Sequence, residues 1–307
     1  MTIKELRVVF IGTPEFSVPS LEAIIASGAQ VVGVITAPDR KSGRGMKTTP
    51  SAVKRCAEKH NIPVLQPTNL KNRDFQEKLK TLNADIQVVI AFRMLPVAVW
   101  DMPPMGTVNL HASLLPNYRG AAPINWAIIN GEEKTGLTTF KLKHEIDTGD
   151  VLLQKELTIS KDETAGELHD RMMMEGAGLV VDTLRQLVDS EINPKPQTYS
   201  STDKKAPKIF KEDCEIDWNK NGVQIYNLIR GLSPYPAART RLNDKILKVF
   251  KCHFIPENHS QYPGSITTDK STFLGFYCQD GVIQLEEVQL EGKRHMNTAD
   301  FLRGFSF

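Results

Sequence analysis

Three residues of this chain could together run an acyl-type transfer. Asn109 and His111 sit in Gly106-Thr-Val-Asn-Leu-His-Ala-Ser-Leu-Leu-Pro116, and Asp147 sits in Ile146-Asp-Thr-Gly149. An amide can donate to a developing oxyanion, an imidazole can handle a proton, and a carboxylate can orient the ring or a water. Asn109 and His111 are two positions apart, so on a strand both side chains leave the same face, at the carboxyl end where open α/β sheets hold their ligands. A bare Asn-x-His is common at ordinary strand ends; the string that follows gives it content. Ser113-Leu-Leu-Pro-Asn-Tyr-Arg-Gly120-Ala-Ala-Pro-Ile-Asn-Trp126 is a proline- and glycine-punctuated loop leading into a helical segment. Its hydroxyl, two leucines and φ-locked proline suit a flat heteroaromatic ligand better than a solvated connection.

The elements that must position these residues alternate between β and α. Leu6 to Ile11 and Val31 to Thr36 read as apolar strands around a helix from Val18 to Ser27 that Gly28 ends. A helix from near Pro50, a short strand over Ile62 to Leu65, a helix over Asn72 to Leu82 and a strand over Ile86 to Ala91 continue the pattern, and Gly106 to Leu110 brings in the site. Such alternation implies a doubly wound, Rossmann-like parallel sheet. Gly12-Thr-Pro follows the first strand, where a dinucleotide fold would carry two further glycines, so NAD binding is disfavoured. Leu137 to Leu142 and Val151 to Ile159 read as strands flanking Asp147, and Asp150 is read as a solvated or turn residue. Thr164-Ala-Gly-Glu167 resembles a capping box opening a helix to about Asp189, with Met172 to Met174 as core filling.

The polar, proline-bearing stretch Asn193 to Asp203 reads as an interdomain linker. The expected division is a catalytic domain over 1–190, a linker over 191–207 and a C-terminal β domain over 208–307. In the last part, one helix over Gly222 to Arg230 precedes several short strands, which fits a small β-barrel.

At 307 residues and 40% hydrophobic, the chain can bury a sizeable core. The first apolar stretch is too short for a signal peptide, and no segment reaches the roughly 18 apolar residues of a membrane span, so a soluble, cytoplasmic, monomeric protein is expected, with no membrane partner. Cys56, Cys214, Cys252 and Cys278 are scattered without a Cys-x-x-Cys; they are read as reduced and structural, and no metal is expected. Net charge is only +2, but Arg40, Lys41, Arg44 and Lys47 fall within eight residues that hold no acid. Local concentration is what counts for phosphate contact. With glycines at 43 and 45, this reads as a mobile basic loop, either a solvated surface or an RNA contact. Lys204 to Lys211 carries the same two readings.

The pattern Asn-x-His-x-Ser-Leu-Leu-Pro-x-x-x-Gly with a later Asp-Thr-Gly resembles the 10-formyltetrahydrofolate-dependent formyltransferases. Gly12-Thr-Pro-Glu-Phe16, Pro38-Asp-Arg40 with Gly43-Arg-Gly45, and Gly120-Ala-Ala-Pro-Ile124 are similar to the members that act on methionyl-tRNA. The resemblance runs from about residue 6 into the C-terminal region. It implies a formyltransferase fold with a C-terminal OB-like barrel that helps hold tRNA, 10-formyltetrahydrofolate as formyl donor, and initiator methionyl-tRNA as acceptor. Asn109, His111 and Asp147 are then catalytic, with Asp147 preferred to Asp150 because the family's Asp-x-Gly pattern begins there. Ser113, Leu114, Leu115 and Pro116, with Phe92, Arg93 and Leu95, would bind the folate, and the basic loop would enter the tRNA acceptor arm.

The chain also departs from the tRNA-specific members. Phe92-Arg-Met-Leu95 looks closer to the glycinamide ribonucleotide transformylases, and His144-Glu145 replaces a common Glu-Gly. Arg93 therefore reads in two ways, as a contact to the folate's glutamate tail or as the partner of a surface acid. The rival functions are the same chemistry on a small amine, such as a sugar amine or glycinamide ribonucleotide, and a non-catalytic RNA-binding module. A small acceptor needs neither the basic loop nor the C-terminal β domain.

Overall fold

A computed structural model describes residues 1–42, 47–198 and 200–305. In chain order the first elements are β1 (Arg7–Gly12), α1 (Val18–Ala26), β2 (Gln30–Ile35), β3 (Arg40–Ser42), β4 (Lys47–Thr49), α2 (Ala52–Lys59), β5 (Val64–Leu65) and α3 (Arg73–Thr81). They continue with β6 (Ile86–Ile90), α4 (Val97–Trp100), β7 (Thr107–His111), β8 (Arg119–Gly120), α5 (Pro123–Ile129), β9 (Lys134–Lys141), β10 (Val151–Thr158) and α6 (Ala165–Val188). The last stretch carries β11 (Lys205–Ala206), α7 (Gly222–Leu232), β12 (Ala238–Leu242), β13 (Lys245–Pro256), β14 (Ile266–Thr268), β15 (Leu274–Cys278), β16 (Gly281–Leu290), β17 (Met296–Asn297) and α8 (Thr298–Arg303).

Two compact units result. One holds 1–119, 136–157 and 169–204; the other holds 120–135, 158–168 and 205–307. The first is built on a seven-stranded sheet of order β10-β9-β7-β6-β1-β2-β5. β1 pairs in parallel with both β2 and β6, and β6 with β7, whereas β9 runs antiparallel to β7. Strand order reverses between β1 and β6, so the crevice for a ligand lies at their carboxyl ends. There the Ser17 hydroxyl donates to the Ile90 carbonyl at 2.8 Å. A Cβ on Gly12 would lie 2.9 Å from that serine side chain, which is why the turn after β1 carries glycine.

β1 is apolar on both faces, as a strand covered on both sides must be: Val8, Val9, Phe10 and Ile11 are fully buried. On one face Val9 and Ile11 pack with Phe75, Leu79, Val89, Leu95 and Val99. The expected capping box closes in full, with the Thr164 hydroxyl accepting from the Glu167 N–H while the Glu167 carboxylate accepts from the Thr164 N–H and hydroxyl. Of the three methionines in α6, Met172 is core but Met174 is 62% exposed, because a helix cannot bury three consecutive positions.

The two ends of the basic segment form strands, while residues 43–46, with both glycines, lie outside the described residues. β3 and β4 pair antiparallel with Arg40 opposite Thr49, Lys41 opposite Thr48 and Ser42 opposite Lys47. The β-branched Thr48 and Thr49 supply the strand preference that a reading focused on glycine overlooks. At the base of this hairpin, Lys54 and Gln66 both donate to the Asp39 carboxylate and hold it below the usual carboxylate range.

The second unit is an antiparallel half-barrel of order β12-β13-β16-β15-β14, with β17 added to β16. Ile225, Ile229 and Leu232 of α7 join Leu247, Val249, Phe276, Ile283, Leu285 and Val288 in one apolar cluster. Among the described residues no helix is long and apolar enough to cross a membrane.

Candidate active site

The chemistry-bearing end of β7 is set by strand alternation. Leu110 faces α6, where a Cβ on Gly176 would lie only 2.7 Å from a leucine methyl, so helix and strand meet closely on that side. Asn109 and His111 therefore leave the opposite face together. Register sets Asn109 beside Val89 of β6 and opposite Phe140 of β9, and sets His111 opposite Thr138.

His111 is 7% exposed and its Nε2 lies 2.9 Å from the Tyr118 carbonyl. A carbonyl only accepts, so Nε2 carries a proton and donates it there, which fixes the ring. The other nitrogen, Nδ1, lies 3.8 Å from Asp147 Oδ2, with the two side chains 8% and 11% exposed. That separation is too long for a direct hydrogen bond. A gap of this length between two buried polar groups is one that a single water can bridge.

Asp147 reaches this position from a left-handed turn, with φ of 55°. Asp tolerates that conformation better than most residues, and the surroundings hold it there. Its carbonyl accepts from Arg119 Nε at 3.0 Å and from Gln197 Nε2 at 2.9 Å. The same Gln197 amide donates to the Gly149 carbonyl at 2.7 Å, while its oxygen accepts from Arg119. A Cβ on Gly149 would lie 1.5 Å from the Lys141 carbonyl oxygen, so only glycine fits two residues after the carboxylate. Asp150 is partly exposed, and its carboxylate lies 2.7 Å from Lys143 Nζ, a surface ion pair that gives it a partner other than His111.

The loop after β7 is rigid. Ser113 is fully buried and its hydroxyl donates to the Asn117 carbonyl at 2.6 Å. Thr138 donates to the Ser113 carbonyl and accepts from the Leu115 N–H, and Gln154 donates to the Leu115 carbonyl. The Ser113 side chain is thus committed to shaping the loop, so the groups it offers a ligand are mainly backbone and apolar. Leu115 is 4% exposed and precedes a cis peptide to Pro116; Leu114 packs against Gly136, where a Cβ would lie 2.5 Å from its methyl.

From the end of β6, Ala91 turns the chain with φ of 49° into the second loop. Leu95 belongs to the apolar cluster under the sheet and Phe92 packs against that cluster. Of the two readings of Arg93, pairing with a surface acid is not what is found among the described residues. Its guanidinium donates to the carbonyls of Thr68 at 2.9 Å and Pro67 at 2.5 Å, tying this loop to the one after β5. A planar fork with several donors suits two adjacent carbonyls as well as a carboxylate.

Arg40 is exposed on β3, Lys41 and Lys47 take their places in the β3–β4 ladder, and Arg44 lies outside the described residues. Residues that the motifs did not reveal are those bracing Asp147 and the loop: Arg119, Gln197, Thr138 and Gln154. The one local signal is Gly149, whose spacing after Asp147 marks a turn.

Comparison with known proteins accounts for the arrangement. The formyl transferase family model matches residues 6–184 and the formyl transferase C-terminal domain model matches 208–306. Methionyl-tRNA formyltransferase from Flavobacterium johnsoniae is 50% identical over 99% of this chain and 98% of its own length. The enzyme of that name from Parabacteroides distasonis is 49% identical over 99% and 97%. Among solved structures, an N-formyltransferase from Helicobacter canadensis in complex with folinic acid and dTDP-3-aminofucose superposes with a TM-score of 0.69 at 20% identity, covering 91% of this chain and 98% of that one. HypX from Aquifex aeolicus in complex with tetrahydrofolic acid gives 0.65 at 16%, covering 97% of this chain; the chain spans about half of HypX, 47%. These two likenesses concern the fold. With both domain models matched and half of all positions shared along its length with such a relative, this chain belongs to the formyl transferase family, among the methionyl-tRNA formyltransferases.

Proposed function

We propose that this protein transfers the formyl group of 10-formyltetrahydrofolate to the α-amino group of methionine esterified to initiator tRNA. The observation that carries the reading is the buried approach of Asp147 to His111, 3.8 Å apart, beside Asn109 on one strand face, in a chain whose full-length relatives bear that enzyme's name.

The neutral amine attacks the formyl carbon, and the carbonyl oxygen takes the negative charge. Asn109 Nδ2–H and the protonated His111 ring are its donors; one such donor is typically worth about 3 kcal/mol, or roughly two orders of magnitude in rate. As the carbon–N10 bond breaks, the proton released by the attacking nitrogen passes to N10 through a water held by Asp147. The products are formylmethionyl-tRNA and tetrahydrofolate, and no metal takes part. Ser113, Leu114, Leu115 and Pro116, with Phe92, Arg93 and Leu95, line the folate position. Arg40, Lys41, Arg44 and Lys47 meet the tRNA phosphates.

Incubation with 10-formyltetrahydrofolate and charged initiator tRNA should yield formylmethionyl-tRNA. Transfer only to a sugar amine or glycinamide ribonucleotide would replace the acceptor in this reading, and no transfer to any amine would end it.

A further inference from the structure

A second group of chemistry-bearing side chains lies on α1 and α2, and nothing in the formyl-transfer reading uses it. Glu22 projects from α1, while Cys56 and His60 belong to α2 and its C-cap, four residues apart. One carboxylate oxygen, the Cys56 Sγ and one imidazole nitrogen all lie within 4.8 Å of one another. Among the described residues this is the one such convergence of three His, Cys, Asp or Glu side chains, and none of the three has a hydrogen-bond or ion-pair partner there.

We propose that Glu22, Cys56 and His60 bind a divalent transition-metal cation, zinc by the chemistry of the set. Thiolate, imidazole and carboxylate are the three protein ligand types of zinc, with bonds of roughly 2.0 to 2.3 Å. A tetrahedral ion with such bonds separates its donors by about 3.5 Å, so closing from 4.8 Å needs movements of about 1 Å, within the reach of the Glu22 and His60 rotamers. A hard, all-oxygen cation such as magnesium has no use for the sulfur.

Helical spacing explains why the donors meet. Val53, Cys56 and His60 fall on one stripe of α2; the stripe is buried at Val53 and Cys56 and emerges at His60. The thiol therefore forms the floor, and the exposed Glu22 and His60 form the rim through which an ion arrives from solvent. Three protein ligands leave a fourth position for water, and the thiolate and carboxylate together neutralise the ion. The bound ion would clasp α1 to α2, the helix that follows directly on the basic hairpin.

The test is titration of the reduced, chelator-treated full-length protein with cobalt(II), followed by zinc(II). One equivalent of cobalt should raise a thiolate-to-cobalt charge-transfer band with the visible absorption of four-coordinate cobalt, and zinc should displace it. Cys56→Ser should abolish the charge-transfer band. His60→Ala and Glu22→Gln, both at exposed positions that leave the fold intact, should each weaken cobalt binding at least about tenfold, since even outer-shell partners of a metal ligand are worth that much. Absence of the band in the unaltered protein overturns the proposal. So does a band that survives Cys56→Ser, or one whose affinity in His60→Ala or in Glu22→Gln equals that of the unaltered protein.

Discussion

The two compact units bury different kinds of residue. In the α/β unit, His111, Ser113, Thr138, Thr139, Asp147, Thr183 and Gln197 are all at least nine-tenths buried, alongside an apolar sheet. The half-barrel unit buries mostly apolar side chains, and its few buried polar ones make local contacts: Thr298 donates to the Leu285 carbonyl, and Arg230 donates to Asn227 and to the Glu163 carbonyl. A fully satisfied polar network contributes less to stability than apolar packing of the same volume, but it holds side chains in one arrangement. The α/β unit thus carries a positioned carboxylate and imidazole, and the half-barrel unit a mainly apolar core.

The sharpest way to break this contrast is at Asp147. Asp147→Asn should lower turnover at least about a hundredfold while methionyl-tRNA affinity stays nearly unchanged, because the amide keeps the shape and loses the charge. Steady-state kinetics with a tRNA binding measurement checks both halves, and unimpaired turnover would remove Asp147 from the chemistry.

The reciprocal substitution lies in the half-barrel. Leu285→Ala, at a position 1% exposed, should cost about 2 to 5 kcal/mol in denaturant unfolding of that unit, with turnover unchanged at temperatures where it stays folded. A smaller stability effect is expected at Gln197. Gln197→Ala leaves the carbonyls of Asp147 and Gly149 without that donor, at a cost of about 1 to 3 kcal/mol, and lets the Asp147 turn drift, so turnover should fall about tenfold. Equal turnover in this variant would show that Arg119 alone holds the turn. The smallest effect is expected in the basic segment: Arg44→Ala should raise the Michaelis constant for methionyl-tRNA a few-fold and flatten its salt dependence by about one ion, leaving the folate constant unchanged.

Much of this was legible from residue order. The Asn109–His111 pair reads out directly because strand alternation is a local rule, and the Thr164–Glu167 box because a helix start is one too. Gln197 was hidden in a stretch without periodicity, since its role depends on two carbonyls nearly fifty residues earlier that no local pattern announces. The contacts of Arg93 were hidden for a related reason: the carbonyls of Pro67 and Thr68 that it meets are invisible to side-chain motifs. The approach of Glu22 to Cys56 and His60 likewise depends on how two helices lie together, which spacing along either one does not fix.

The central claim is that Asn109, His111 and Asp147 act as one unit at a single reacting carbon. Single-turnover formyl transfer by Asn109→Ala, Asp147→Asn and the double variant tests it most directly. Groups that serve one transition state lose little more when removed together than the worse of them loses alone. The account predicts a double variant within a few-fold of the slower single variant. Losses that multiply in full would mean that the two side chains act independently, and would contradict it.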